Sequence, residues 1–191
     1  MAEVKPLSFE LNEEMLGIIK QEFDVNKVIA DFTQGITGKS SREIETIGKK
    51  IFTNYGENLI KRARQLGDEY PDRTYEVIVK AIEDTDGYYK FSLLPQRSLE
   101  IAYLGAFNIM KLHIIENNHE RLIIQLEPDE CLIYDTLTKK CNKEVVDLLP
   151  CKYSCLAMME TLHRDLALDA IISMEASMPK DGYCQFMARR A

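Results

Sequence analysis

Five cysteines, Cys131, Cys141, Cys151, Cys155 and Cys184, carry the most chemical potential in this sequence. Cys151 and Cys155 are four residues apart, which puts both on one face of a helix. Cys151 follows Pro150, a residue suited to a first helical turn. Its thiol is therefore expected to feel the free amides of a helix N-terminus, which favour thiolate. Cys184 comes just after a turn between two predicted strands. If that hairpin packs under the helix, three sulfurs converge. Nucleophilic catalysis, metal binding and plain packing all fit, because a buried free cysteine also behaves as a small hydrophobe.

The remaining chemical candidates are scattered. His113 falls on a predicted strand, His119 in a turn and His163 near a helix end. No His-x-x-x-His or Cys-x-x-Cys spacing signals a closed zinc site. Gly38-Lys39-Ser40 invites a phosphate-loop interpretation, but Thr33 stands where the first glycine belongs and no apolar strand precedes it. Lys49, Lys50, Lys61, Arg62 and Arg64 form a basic helix face, interleaved with Glu43, Glu45 and Glu57, as on a solvated surface. Alternation from Ala170 to Met178 places Ile172, Met174, Ala176 and Met178 on one strand face, opposite Ser173, Glu175 and Ser177. A methionine-rich face adapts to irregular apolar ligands and equally well to a core.

These side chains must be held by a scaffold, and hydrophobic periodicity outlines it. Leu11 to Phe32 reads as one or two helices, and Gln34 to Gly38 as a loop. A helix then starts at Ser40 or Ser41, with a stripe of Ile44, Ile47, Ile51, Tyr55, Leu59 and Leu66. Another runs from about Asp72 to Glu83. The turn Asp84-Thr85-Asp86-Gly87 follows, then a mixed segment from Tyr88 to Phe107 with a strand expected over Leu99 to Leu104. Met110 to Glu116 and Arg121 to Leu126 form a hairpin pattern around Asn117-Asn118-His119-Glu120. Glu130 to Asp135 is expected to be a strand and Thr136 to Leu149 a helix. Cys151 to His163 is the next helix. Leu166 to Met178 and Tyr183 to Arg189 are two strands joined at Pro179 to Gly182. The order predicts an α+β fold in a single domain over residues 1–191. Residues 1–87 are mainly helical, and 88–191 form a small antiparallel sheet with a crossing helix and a C-terminal hairpin.

Composition narrows the function classes. The chain has 191 residues, 46% hydrophobic and 29% charged, enough for a real core and unlike a disordered chain. Its net charge is −7 without any basic run, so the electrostatic attraction that dominates nucleic-acid affinity is missing. The segment from Cys151 onward has five basic and five acidic residues, so the excess negative charge lies upstream. Met1-Ala2-Glu3-Val4-Lys5-Pro6 has no apolar signal-type run, and no stretch has the length to cross a bilayer. A cytoplasmic protein with no membrane and no nucleic-acid partner is expected. With an odd cysteine count, a disulfide framework is not.

The C-terminus resembles a known superfamily. The matching residues are Cys151-Lys152-Tyr153-Ser154-Cys155, the helix they open, Ser173 to Met178, and Asp181-Gly182-Tyr183-Cys184-Gln185-Phe186. They are similar to the ending of the vinyl-reductase-type domain of chlorophyll biosynthesis and of the sensory domains of aromatic-responsive transcription activators. The L-2-amino-thiazoline-4-carboxylic acid hydrolase family ends in a similar way. The wider group is similar to ligand-binding domains of nitric-oxide signalling and of Golgi vesicle tethering. The resemblance covers about the last forty residues. Zinc-binding sensor members carry a glutamate and a cysteine on the penultimate strand where this chain has Ser173 and Ala176. The resemblance therefore implies no zinc and no cofactor here, although Glu175 offers one oxygen. It leans towards the amino-thiazoline hydrolase-like branch. Related domains pair through their helical parts, which implies a homodimer.

Two functions are carried forward. In the first, the chain binds a small apolar or heterocyclic molecule, as sensor or carrier, in a pocket between the upstream helices and the sheet. Tyr103, Phe107, Met110, Met158, Met174, Glu175, Met178 and Cys184 are the expected lining. In the second, it is a hydrolase opening a small cyclic C–N bond. Cys151 or Cys155 is then the nucleophile, with His163, Glu160 or His113 as base. Eight residues of helix separate Cys155 from His163 by about 12 Å, too far for a direct pair.

Overall fold

The computed structural model describes residues 10–85 and 90–191. The leader Met1 to Pro6 and the Asp86-Gly87 part of the expected turn lie outside them.

Local sequence explains where the first helices begin. Helix α1 (Glu13–Glu22) starts where Asn12 Oδ1 accepts the Met15 N–H at 3.1 Å. Helix α2 (Val25–Gly35) starts where Asp24 accepts from Asn26. Helix α3 (Ser41–Glu69) opens with the Glu43 carboxylate accepting both the N–H and the hydroxyl of Ser40. Helix α4 (Arg73–Asp84) is capped by Asp72, which accepts the Tyr75 N–H at 2.9 Å. All four match the sequence expectation, except that α2 continues through Gln34 and Gly35, which were expected in the loop.

The next segment departs from it. Leu99 to Leu104 is not a strand but the centre of helix α5 (Lys90–Ala106). Arg97, Ser98, Leu99, Ile101, Ala102 and Tyr103 are all buried. A helix buried on nearly every side has no polar face, so its 3.6-residue period is erased and a short apolar run looks like a strand. Glu130 to Asp135 departs for the opposite reason. Cys131 and Ile133 are buried and alternate with half-buried Leu132 and Tyr134, which imitates a strand period. The backbone instead forms a 3-10 turn (Pro128–Glu130) and helix α6 (Leu132–Lys140), with Asp135 N–H donating to Cys131 O at 2.9 Å. The helix expected over Thr136 to Leu149 is broken at Cys141, and a short helix α7 (Lys143–Asp147) follows, capped by Asn142.

The strands are β1 (His113–Asn117), β2 (Arg121–Leu126), β3 (Ala170–Ala176) and β4 (Cys184–Arg190). They form one antiparallel sheet in the order β1-β2-β4-β3. Helix α8 (Lys152–Asp165) crosses between the two hairpins in sequence, and a single helical turn, α9 (Met178–Asp181), joins β3 to β4. Gly182 closes that turn at φ 82°, a left-handed conformation that a side chain resists. The fold is α+β, with a helical N-terminal half and the strands in the C-terminal half.

The core lies where α3, α5 and α8 meet the inner sheet face of Leu122, Ile124, Leu126, Phe186 and Ala188. Helix α3 approaches α8 backbone to backbone. A Cβ on Gly56 would collide with the Ser154 carbonyl, and one on Gly48 would lie 2.7 Å from Pro150 Cβ. The buried stripe of α3 therefore runs through Gly48, Phe52, Gly56, Ile60, Ala63 and Gly67. Of the expected stripe, Ile44, Leu59 and Leu66 are buried with it, whereas Ile47, Ile51 and Tyr55 are only half-buried. Among the described residues no helix is long and apolar enough to cross a membrane.

Candidate functional site

Two places gather reactive or polar side chains, and they differ in access. The first lies under α8. Cys151 is the residue that caps α8, and Cys155 sits one turn on. Cys184 opens β4 from below and Cys131 arrives ahead of α6. All four thiols are between 5 and 7% exposed. Tyr103, on α5, is wholly buried among them, with its hydroxyl close enough to the Cys155 thiol to interact with it.

The electrostatics of this cluster oppose thiolate. Burial pushes the Cys151 thiol well above its ordinary value, and neighbouring Cys131 and Cys155 push in the same direction. Burial likewise raises Cys131 to about 12 and Cys184 to about 11, and Cys155 rises too. The expected lowering at a helix N-terminus is overturned. The partial charge of the first turn favours thiolate by about 1 kcal/mol, whereas removing an anion from water costs several. Among the described residues, no three His, Cys, Asp or Glu side chains are arranged to hold a metal ion.

The expected bases do not serve these thiols. His163 is buried, donates Nδ1–H to Met159 O at 2.7 Å and is kept neutral by burial. Glu160 is exposed on the same helix. His113 is paired with Glu130, Nε2 to Oε2 2.9 Å, and lines a cleft in which no cysteine takes part.

That cleft is the second place. It opens between α1, α5 and β1 and encloses about 660 Å³, within the range of small-molecule sites. Leu16, Leu104, Leu112 and Ile114 give it apolar walls. Gln96 and Glu100, one turn apart on α5, supply its ordered polar row. Asn117, at the end of β1, donates through Nδ2 to Gln96 Oε1, and Gln96 Nε2 donates to Glu100 Oε1 at 2.7 Å. Burial raises the Glu100 carboxyl above its usual range, and the Gln96 hydrogen bond only partly opposes this.

A buried ion pair holds the frame of the cleft. Asp72 and Arg97 side chains are each 6% exposed and meet at 3.1 Å. Asp72 also accepts the Asn12 N–H at the start of α1, besides capping α4. Arg97 donates to Gly67 O at 2.9 Å, near the end of α3. One carboxylate and one guanidinium thus fix four helices against each other. Thr74, beside Asp72, also lines the cleft, and its buried hydroxyl has no hydrogen-bond partner.

The residues expected to line one pocket divide between these places. Tyr103, Phe107, Met158, Met178 and Cys184 are buried core residues, and Phe107 packs edge-on to Tyr103 at 5.3 Å. Met174 is half-buried against the core. Glu175 is exposed on the outer sheet face, hydrogen-bonded by Ser173. Met110 is 87% exposed and borders the cleft with His113. Sequence reasoning named Cys131 without placing it beside the other thiols, and it missed Thr74, Asp72, Arg97, Gln96 and Glu100 as site residues. The four-residue spacing of Gln96 and Glu100 signals a pair only once the segment is known to be helical. No protein-family model matches this chain, and no curated protein matches it.

Proposed function

We propose that this chain is a small-molecule-binding domain of sensor or carrier type, with its ligand in the cleft between α1, α5 and β1. The observation that carries this is the cleft itself, an open volume of about 660 Å³ with apolar walls and one pre-ordered polar row, Asn117 to Gln96 to Glu100. Sites for small molecules combine those two properties. The C-terminal resemblance to ligand-binding domains points in the same direction. A thiol hydrolase is disfavoured, since the thiols are buried and held protonated with no base beside them. Half-buried Ile47 and Ile51 on α3 leave apolar surface for a second copy of the chain, and a dimeric mass in light scattering is the outcome that supports pairing.

Methyl-resolved NMR of the native protein against a panel of small aromatic and heterocyclic molecules tests the binding function. Binders are expected to shift Leu16, Leu104 and Ile114 signals, and Leu104→Trp, which fills the cleft, is expected to abolish the shifts while the fold persists. Shifts confined to Met158 and the methyls around the thiols, insensitive to Leu104→Trp, would overturn it.

A further inference from the structure

We infer that the cleft is shaped for a ligand carrying a cationic nitrogen, an amine or amidinium on an apolar body, with that charge seated on Glu100. The inference rests on the cleft being the binding site.

The geometry around Glu100 leaves a place for positive charge. Its carboxylate is half-buried, and its hydrogen bond from the described residues comes from a neutral amide, Gln96 Nε2 at 2.7 Å. No described lysine, arginine or histidine lies within ion-pair distance of it, whereas other acids here, such as Glu22 and Glu116, are paired with arginines. Arg97, next but two along α5, is committed to Asp72 and to Gly67 O. Gln96 Oε1 accepts from Asn117 Nδ2, which orients the Gln96 amide with Nε2 towards Glu100.

The other groups facing the cleft fit this assignment. Thr74 is 1% exposed and its hydroxyl is unpartnered, so it can accept a second N–H from the same ligand. Glu13, at the first turn of α1, adds negative charge to the wall. Lys111 is exposed, and His113 is engaged by Glu130. Burial alone would push Glu100 towards its neutral form. A cation brought in with an apolar body reverses that tendency and forms a charge-assisted hydrogen bond, which a neutral isostere cannot. Leu16, Leu104, Leu112 and Ile114 exclude water from the body of such a ligand.

Three probes of matched shape test the inference: 2-phenylethylamine, 2-phenylethanol and 3-phenylpropionate, titrated against methyl-labelled protein. The amine is expected to bind about tenfold more tightly than the alcohol, and the carboxylate most weakly. Glu100→Gln should bring the amine to the alcohol's affinity and leave the alcohol unchanged. Lowering the pH of the wild type should weaken the amine alone as Glu100 protonates. Glu13, Lys111, His113, Glu130 and the Asp72–Arg97 pair face the same region and titrate or carry charge as well, so the Glu100→Gln comparison decides. Should that variant not fold, Glu100→Asp keeps the charge but withdraws it by one methylene, and is expected to weaken the amine alone. Equal affinity for amine and alcohol, or an amine preference that survives Glu100→Gln, overturns the inference and leaves the cleft standing as a binding site. If none of the three shifts a cleft methyl, both fall.

Discussion

The thiol cluster under α8 and the cleft beside β1 are built from comparable chemical stock, but only the cleft is open to water. Four thiols and a tyrosine hydroxyl are buried in the core under α8. There burial outweighs the helix N-terminus and keeps every thiol protonated. At the cleft the burial lies one layer back, in Asp72 and Arg97. Those two fix the helix ends against one another, in an arrangement in which Glu100, Gln96 and Thr74 line a cavity. The difference teaches that reactive residue types do not make a site. A site needs a rigid frame behind polar groups that remain reachable.

The largest expected effect comes from breaking that frame. Arg97→Met leaves the buried Asp72 carboxylate without its cation and removes the donor to Gly67 O. Loss of one partner of a buried pair costs about 3–5 kcal/mol. Urea unfolding should show a loss of that size together with loss of cleft binding. A change under about 1 kcal/mol would mean that the ion pair does not hold the cleft open.

Breaking the seal of the thiol cluster comes next. Gly56→Ala places a methyl against the Ser154 backbone, which cannot retreat as a flexible side chain would. Overpacking of this kind costs about 1–3 kcal/mol. Iodoacetamide should then label Cys151 and Cys155 in the native protein. In the wild type, half-exposed Cys141 should react first and the other four only on unfolding. Equal labelling rates at Cys141 and Cys151 in the wild type would undo the contrast between the two regions.

How much of this could be seen in the sequence differs between the regions in the same physical way. Helices α1 to α4 were legible because each has a wet face and a capping residue, such as Asn12, Ser40 or Asp72, and α8 because Pro150 marks its start. Both hairpins were legible from short apolar runs around polar turns. Helix α5 was not, because most of its length is buried and its polar positions facing the cleft are too few to set a period, and Gln96 and Glu100 went unnoticed with it. The placement of Cys151 and Cys155 one turn apart at the start of α8, and of Cys184 just after the hairpin turn, was readable from spacing. The protonated state of those thiols was not, since it depends on their burial, and the packing around α8 includes the close approach of α3 at Gly48 and Gly56. Periodicity of large apolar residues cannot report that contact, because the residues that make it are glycines.

Alkaline pH sharpens the comparison further. A thiol whose folded pKa is raised binds its proton more tightly in the native state, so its contribution is intact below the unfolded pKa and is lost as pH rises towards the folded one. For Cys184 the window runs from the ordinary value of 9.0 to about 11. Stability is expected to fall by about 1 kcal/mol from this thiol alone by pH 10. Cys131, raised to about 12, extends the loss upward. Urea unfolding at pH 8, 9 and 10 should show a shallower decline in Cys184→Ala than in the wild type. Parallel slopes would mean that Cys184 titrates as it does in the unfolded chain and that the cluster is wet.

The smallest effect on stability is expected at Met110, and for that reason it separates the cleft from the fold. Met110 is 87% exposed and lies outside the secondary-structure elements, just before β1. Truncating an exposed side chain that supports no cap, turn or core contact changes stability by less than about 0.5 kcal/mol. Met110 nevertheless borders the cleft, and a thioether side chain moulds itself to an apolar ligand at little cost in strain. Met110→Ala should therefore leave the unfolding curve and the protection of the four buried thiols unchanged. It should also weaken binding of 2-phenylethylamine and 2-phenylethanol by a similar factor, since the contact is with the ring they share and not with the amine. A selective loss of the amine would place the cation at the mouth beside Met110 and away from Glu100. No loss for either probe would place their rings elsewhere in the cleft, against Leu16 and Leu104.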